Sequence, residues 1–217
     1  MGFFEMITGV DLSILRYIHD NLRFPVLNEL MWFFTHLAEP FMCPIYPLIF
    51  IIIGLAVYYK RFKAGTLDER WRDKFDFAKL GLLMGVALIF GLIVCNFTLK
   101  PLIARIRPYE VEGFADLLMI ERQGEKSFPS GHSVAVFEMA FAASWYCVKK
   151  DRAKWSILAY ALAVVIAYSR IYVGVHYPTD VLAGALIGTL CGALAVYVVN
   201  LIYKKWIDPK IYPPYFE

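Results

Sequence analysis

Long apolar runs constrain this chain before any other feature. A hydrocarbon layer about 30 Å thick is crossed by roughly 17–25 mostly apolar helical residues. Five such runs stand near Phe41 to Tyr59, Ala78 to Leu99, Val134 to Val148, Trp155 to Ser169 and Val181 to Tyr203, the third and fourth needing their flanks to reach across. A weaker sixth candidate, Pro25 to Leu37, carries Asn28, Glu29 and His36 and is closely followed by Pro40. Ahead of it, Asp11 to Arg23 sets Leu12, Leu15, Ile18 and Leu22 at helical spacing against Arg16, Asp20 and Arg23, which suits a helix lying in a membrane interface; an extension of the first span is the alternative. The expected fold is all-α, a six-span transmembrane helical bundle with an N-terminal interfacial helix. Residues 1–217 form a single domain in this reading, because no Gly/Ser-rich or Pro-rich linker interrupts them.

Composition agrees with a membrane setting. Hydrophobic residues make up 59% of the chain and charged ones 19%, against about 25% charged in soluble domains. A net charge of +3 with basic residues scattered in short groups is too small to imply nucleic-acid binding, and no nucleic-acid partner is expected. Cys43, Cys95, Cys147 and Cys191 each fall inside an apolar stretch without a C-x-x-C pair, so all four are expected to be buried thiols rather than disulfides or zinc ligands. With Glu5 and no basic residue before the first apolar positions, the N-terminus lacks the positive n-region of a signal peptide and is expected to be retained.

Cytoplasmic loops carry an excess of Lys and Arg. Under six spans, Arg16, Arg23, Lys60, Arg61, Lys63, Arg70, Arg72, Lys74, Lys79, Lys149, Lys150, Arg152, Lys154, Lys204, Lys205 and Lys210 fall on one side, while Lys100, Arg105, Arg107, Arg122, Lys126 and Arg170 fall on the other. The first group predicts that both termini are cytoplasmic. The second sits where three polar motifs share the opposite face.

The first motif runs from Lys100 to Arg107-Pro108. If the helix continues past Pro101, the two cations lie on one face about 10 Å apart, able to converge on one anion; a snorkelling pair is the bland alternative. The second, Phe128-Pro129-Ser130-Gly131-His132-Ser133, opens an apolar helix. Free N–H groups and the positive end of the helix dipole form a phosphate cradle there, with His132 beside it as a proton carrier; an N-cap serine and an interfacial histidine are the alternative. The third, Ser169-Arg170 to His176-Tyr177-Pro178-Thr179-Asp180, puts a carboxylate within reach of an imidazole and leaves the other ring nitrogen to attack. Together the three supply cations, a helix N-terminus and two histidines, the parts that hold a phosphoryl group and pass it in line.

These motifs, K-x6-R-P, P-S-G-H and S-R-x5-H-x3-D, resemble the signature of the type 2 phosphatidic acid phosphatase superfamily at every fixed position, from Lys100 to Asp180. The resemblance implies that His176 attacks phosphorus to form a phosphohistidine, that Asp180 holds and activates it, and that His132 protonates the departing oxygen. It further implies that Lys100, Arg107, Ser130, the Gly131 backbone and Arg170 bind the phosphoryl oxygens, with no metal and no cofactor. The apolar runs argue against the superfamily's soluble acid phosphatases and haloperoxidases. The implied enzyme is a lipid phosphatase in the cytoplasmic membrane, with its active site at the extracytoplasmic ends of the helices. Its expected substrate is undecaprenyl pyrophosphate; phosphatidic acid or phosphatidylglycerophosphate would use the same residues, and a lipid phosphate binder without turnover is the competing class. The sequence leaves the oligomeric state open.

Outside the signature, Glu138 lies within the fourth span, where an ionisable residue is costly, and a structural, hydrogen-bonded role is expected. Asn96 stands one turn before Lys100, placed to orient it or to bond across the bundle. His19 and His36 are expected at the interface, as are Trp32, Trp145, Trp155, Tyr203 and Trp206. The stretch Tyr109 to Lys126, with Phe114, Leu117, Leu118, Met119 and Ile120 among acidic residues, is expected to lie on the bilayer as an amphipathic lid that selects the lipid.

Overall fold

A computed structural model describes residues 3–65, 77–124, 126–150 and 152–207. Arg70, Arg72, Lys74, Lys210 and the side chain of Trp206 lie outside the described residues. Those described form helices α1 (Phe3–Leu22), α2 (Pro25–His36), α3 (Ile45–Lys63), α4 (Phe77–Leu92), α5 (Lys100–Ile103), α6 (Gly131–Lys149), α7 (Lys154–Tyr172) and α8 (Pro178–Ile202). A π-helical stretch, Ile93–Leu99, joins α4 to α5, and short 3-10 turns at Pro108–Glu110 and Ala115–Leu117 lie in the connection to α6. No strand occurs among the described residues, so the all-α expectation holds.

The ends of these helices follow from local chemistry. Ser130 caps α6, its Oγ accepting the Ser133 N–H at 3.4 Å, which satisfies one of the amides left free at a helix start. Pro178 opens α8, where a missing N–H costs nothing. α6 lies between α4, α7 and α8 and carries the central core, with Val136, Met139, Ala140, Ala142 and Tyr146 buried. α8 meets it through Gly184, Gly188 and Gly192: a Cβ on Gly188 would overlap the Val134 carbonyl oxygen, and one on Gly184 would stand 2.8 Å from the Ser130 carbonyl oxygen. This small-residue stripe lets the two backbones touch, and the contact begins where α6 carries Ser130 and α8 carries Asp180.

Four described segments are long and apolar enough to cross a membrane: Ile45–Lys63, Phe77–Glu110, Lys154–Tyr172 and Pro178–Lys205. α6 has 19 residues, about 28 Å of helix, but its polar residues lower its hydropathy and its neighbours bury them. α2 departs from the expected first span. Its 12 residues rise about 18 Å, well short of a bilayer's apolar thickness.

The positions of α1 and α2 also depart from the charge-based side assignment. Arg16 donates to Asp116 at 2.5 Å and to the Gly113 carbonyl, and Arg23 donates to the carbonyls of Leu117 and Tyr172. Both arginines therefore stand at the end of the bundle that holds Lys100, His132 and Arg170, not opposite it. Asn28 accepts a hydrogen bond from the Tyr172 hydroxyl at 2.7 Å, which puts α2 across the end of α7. The Tyr109–Lys126 connection departs likewise: Leu117 is 1% exposed and packs with Leu15 of α1 and Tyr177, while Leu118, Met119 and Ile120 pack against Tyr109, Tyr172, Val173 and Val175. These apolar residues face protein, because α1 covers them. Among the cysteines, Cys43, Cys95 and Cys191 are buried and Cys147 is half-buried, all four as free thiols.

Candidate active site

The cation motif does not form as one helix. α5 ends at Ile103, and Ala104 adopts a left-handed conformation with φ 50°, a strained state for a residue with a Cβ. The chain then runs extended through Arg107 into Pro108. Lys100 and Arg107 thus converge across a bend rather than along a shared helical face. The π-helical stretch that precedes Lys100 inserts an extra residue into a turn, a feature frequent at functional sites, and Cys95 and Asn96 within it line the same cavity as Lys100.

That cavity, about 380 Å³, is lined by Lys100, Arg107, Gly131, His132, Arg170 and His176, with Glu138 deeper along α6. Arg107 is 3% exposed and Arg170 1%. Arg170 donates from Nη1 to Thr35 of α2 at 2.5 Å, while its Nε finds no hydrogen-bond acceptor among the described residues. A buried guanidinium with an Nε that lacks an acceptor, as in Arg170, is a standing demand for an anion. Gly131 presents its backbone at the wall of the same cavity, where an added Cβ would come within 3.8 Å of the Lys100 Nζ.

His176 sits between a carboxylate and a cation. Its Nδ1 is 3.6 Å from Asp180 Oδ2 and its Nε2 is 3.4 Å from Arg107 Nη1. Burial pushes the imidazole down to about 3, so the ring is neutral near pH 7. A proton on Nδ1 facing Asp180 leaves the Nε2 lone pair turned into the cavity. Asp180 lies behind the ring and is 0% exposed. It accepts from Ser127 Oγ at 2.5 Å and the Tyr177 N–H at 3.1 Å, and from Arg105 Nη1 at 2.7 Å.

Sequence reading missed much of this support. Arg105 also donates to Asp11 of α1 at 2.8 Å, and its guanidinium stacks 3.7 Å above the Tyr177 ring. Asp11 accepts the Thr179 N–H at 3.1 Å. A bifunctional arginine between two carboxylates has no linear signature, since Asp11 and Asp180 are far apart in sequence. Ser130, expected on the phosphate, spends its hydroxyl on capping and on Ser133 and does not line the cavity, whereas Asn96 and Glu138 do. The Glu138 carboxyl lies against Gly91, where a Cβ would occupy its place. Among the described residues no group of three or more His, Cys, Asp or Glu side chains is placed to hold a metal ion.

Residues 80–204 match the PAP2 superfamily. The chain belongs to that superfamily. Phosphatidylglycerophosphatase B of Bacillus subtilis is 33% identical over 177 residues, covering 78% of this chain and 73% of its own length. The undecaprenyl-diphosphatase of Sulfolobus acidocaldarius is 26% identical over 195 residues, covering 89% and 81%. Among solved structures, the transmembrane PAP2 type phosphatidylglycerolphosphate phosphatase from Bacillus subtilis aligns with a TM-score of 0.68 and 29% identity, over 91% of this chain and 88% of its own. In this PAP2 chain the matched region begins within α4, so α1, α2 and the turn after α2, which supply Asp11 and Thr35 to the site, lie outside it.

Proposed function

We propose that this protein is a membrane lipid phosphatase that works through a phosphohistidine on His176, without a metal. The observation that carries the reading is the convergence of Lys100, Arg107, Arg170, His132 and His176 on one cavity. His176 Nε2 attacks phosphorus, the bond from phosphorus to the leaving oxygen breaks, and His132 gives that oxygen its proton. Water then attacks the phosphohistidine, His132 takes up the water's proton, and the His176 nitrogen leaves. Asp180 stabilises the ring while it carries positive charge. Lys100, Arg107, Arg170 and the Gly131 amide hold the equatorial oxygens, and Ser130 supports them through the helix start.

In the membrane, five helices cross: α3, α4 with its π-helical extension, α6, α7 and α8. α1 and α2 lie in the interface on the active-site side. Met6, Val10, Ile14 and Tyr17 form an exposed apolar stripe on α1, opposite its buried Asp11, Leu15 and Ile18, the two-faced pattern of an interfacial helix. Lys60, Arg61, Lys63, Lys149, Lys150, Lys204 and Lys205 at the far ends favour a cytoplasmic location for those ends and an extracytoplasmic one for the site. The substrate we assign is undecaprenyl pyrophosphate, in keeping with the compact chain and a relative bearing that activity's name. A second reading, phosphatidylglycerophosphate, is favoured by the relative at 33% identity and by the aligned structure.

The test is phosphate release in detergent, with chelator present, from undecaprenyl pyrophosphate, phosphatidylglycerophosphate and phosphatidic acid, comparing wild type with His176→Ala. Expected is release that survives chelation and disappears in the variant, the fastest lipid naming the substrate. Release that needs a divalent ion, or that persists in His176→Ala, would overturn the mechanism.

A further inference from the structure

The α2–α3 turn places one carboxylate beside His132. Glu39 Oε1 is 3.8 Å from His132 Nε2, and that nitrogen is buried with no hydrogen-bond partner among the described residues. The other groups facing this imidazole across the cavity are Lys100, Arg107, Arg170 and His176, with Glu138 six residues further along the same helix. Three of these are cations, and cations oppose a charged imidazole. A carboxylate near a phosphate site is itself repelled by the substrate, so its presence needs a compensating role. Glu39 opposes those cations, and its interaction with His132 holds its own carboxyl below the usual carboxylate range.

Resting on the phosphatase reading above, we propose that Glu39 is a positioning residue that orients His132 and raises its affinity for a proton, which extends the site from lipid pyrophosphates to substrates whose leaving oxygen needs a proton. The site then holds two carboxylate–imidazole pairs with different tasks: Asp180 supports the nucleophile and Glu39 the proton donor. The separation of 3.8 Å exceeds hydrogen-bond length, as catalytic contacts often do in the absence of substrate. Leaving groups then sort the substrates. A lipid monophosphate expels an alkoxide, comparable to hydroxide, whose parent acid water has a pKa of about 15.7. A lipid pyrophosphate expels a phosphate, with a second pKa of about 6, which leaves with little help. Glu39 therefore matters most for a lipid phosphomonoester.

The experiment compares wild type, Glu39→Gln and Glu39→Asp on three substrates: phosphatidic acid, undecaprenyl pyrophosphate and p-nitrophenyl phosphate, whose leaving group departs without a proton. General acid catalysis contributes about 10²–10⁴-fold. Because hydrolysis of the phosphohistidine is common to all three, the comparison is read in kcat/KM, which reports its formation: Glu39→Gln is expected to lower kcat/KM on phosphatidic acid by about 10- to 100-fold, a part of that contribution, and to leave kcat/KM on p-nitrophenyl phosphate within about 2-fold. Loss of the negative charge lets the imidazolium release its proton sooner, so the alkaline limb of kcat on phosphatidic acid moves to lower pH. Glu39→Asp restores part of the rate. An equal loss of kcat/KM on all three substrates, or an unmoved alkaline limb, means a merely structural role and overturns the proposal, as does full activity of Glu39→Gln on phosphatidic acid. Wild type that hydrolyses none of the three sinks the phosphatase reading itself, a distinct outcome.

Discussion

At the residue scale, the proposed chemistry rests on a histidine kept neutral by burial and aimed by its neighbours. His176 has Asp180 on one ring nitrogen and Arg107 on the other, and Asp180 is in turn fixed by Ser127, the Tyr177 amide and Arg105. Arg105 touches no cavity wall; it acts by holding the carboxylate that holds the ring. A misplacement of about 1 Å costs on the order of 10²-fold in rate, so Arg105→Leu is expected to lower kcat by about 10- to 100-fold with KM changed little. Steady-state kinetics checks this, and a KM that rises in step with the loss would show that Arg105 grips substrate directly. The signature residues were legible as a set because each motif is compact in sequence. Asp11, Thr35, Glu39 and Arg105 were not recognised, because their partners come from distant helices and no spacing records that.

At the element scale, α6 and α8 form the frame, and their glycine-mediated contact sets how the start of α6 faces the start of α8. Gly188→Val would drive a branched side chain into the Val134 carbonyl. Overpacking of this kind costs about 1–3 kcal/mol, so a lower thermal midpoint in detergent is expected, together with reduced activity at temperatures where the variant is still folded. Normal activity there would mean that the two helix starts hold their relation without the close contact. The spacing of Gly184, Gly188 and Gly192 was visible in the sequence, but their partners Ser130, Val134 and Glu138 were not. Helix continuity failed as an inference at Lys100–Arg107 for a related reason: Pro101 is tolerated in a first turn, and the break comes at Ala104, a residue with high helix propensity that nonetheless takes a left-handed conformation.

At the scale of the whole molecule, the N-terminal helices are what separates the proposed five-span topology from one of six. Asp11, Arg16, Arg23 and Thr35 all bond to groups at the site end, which places α1 and α2 over the site. Single cysteines introduced as Asp20→Cys on α1 and Lys63→Cys at the far end of α3, in a background lacking the native thiols, separate the alternatives. In intact cells a membrane-impermeant thiol reagent is expected to modify Asp20→Cys and spare Lys63→Cys. Labelling of Lys63→Cys alone would restore the cytoplasmic N-terminus. The N-terminal layer also ties architecture to catalysis, because removing it would strip Asp11 from Arg105, Thr35 from Arg170 and Glu39 from His132.

The sequence by itself determined the membrane composition, the helical class and the motifs that mark the superfamily, because hydrophobic run length and short motifs are local properties that survive any packing. Only the tertiary structure decided that the cation motif bends at Ala104 and that the Tyr109–Lys126 connection turns its apolar residues inward under α1. It also decided that Arg16 and Arg23 belong to the site end. Each of these depends on which surface a segment meets across the fold, and an amphipathic helix reads the same whether its apolar face covers a bilayer or a loop of its own chain.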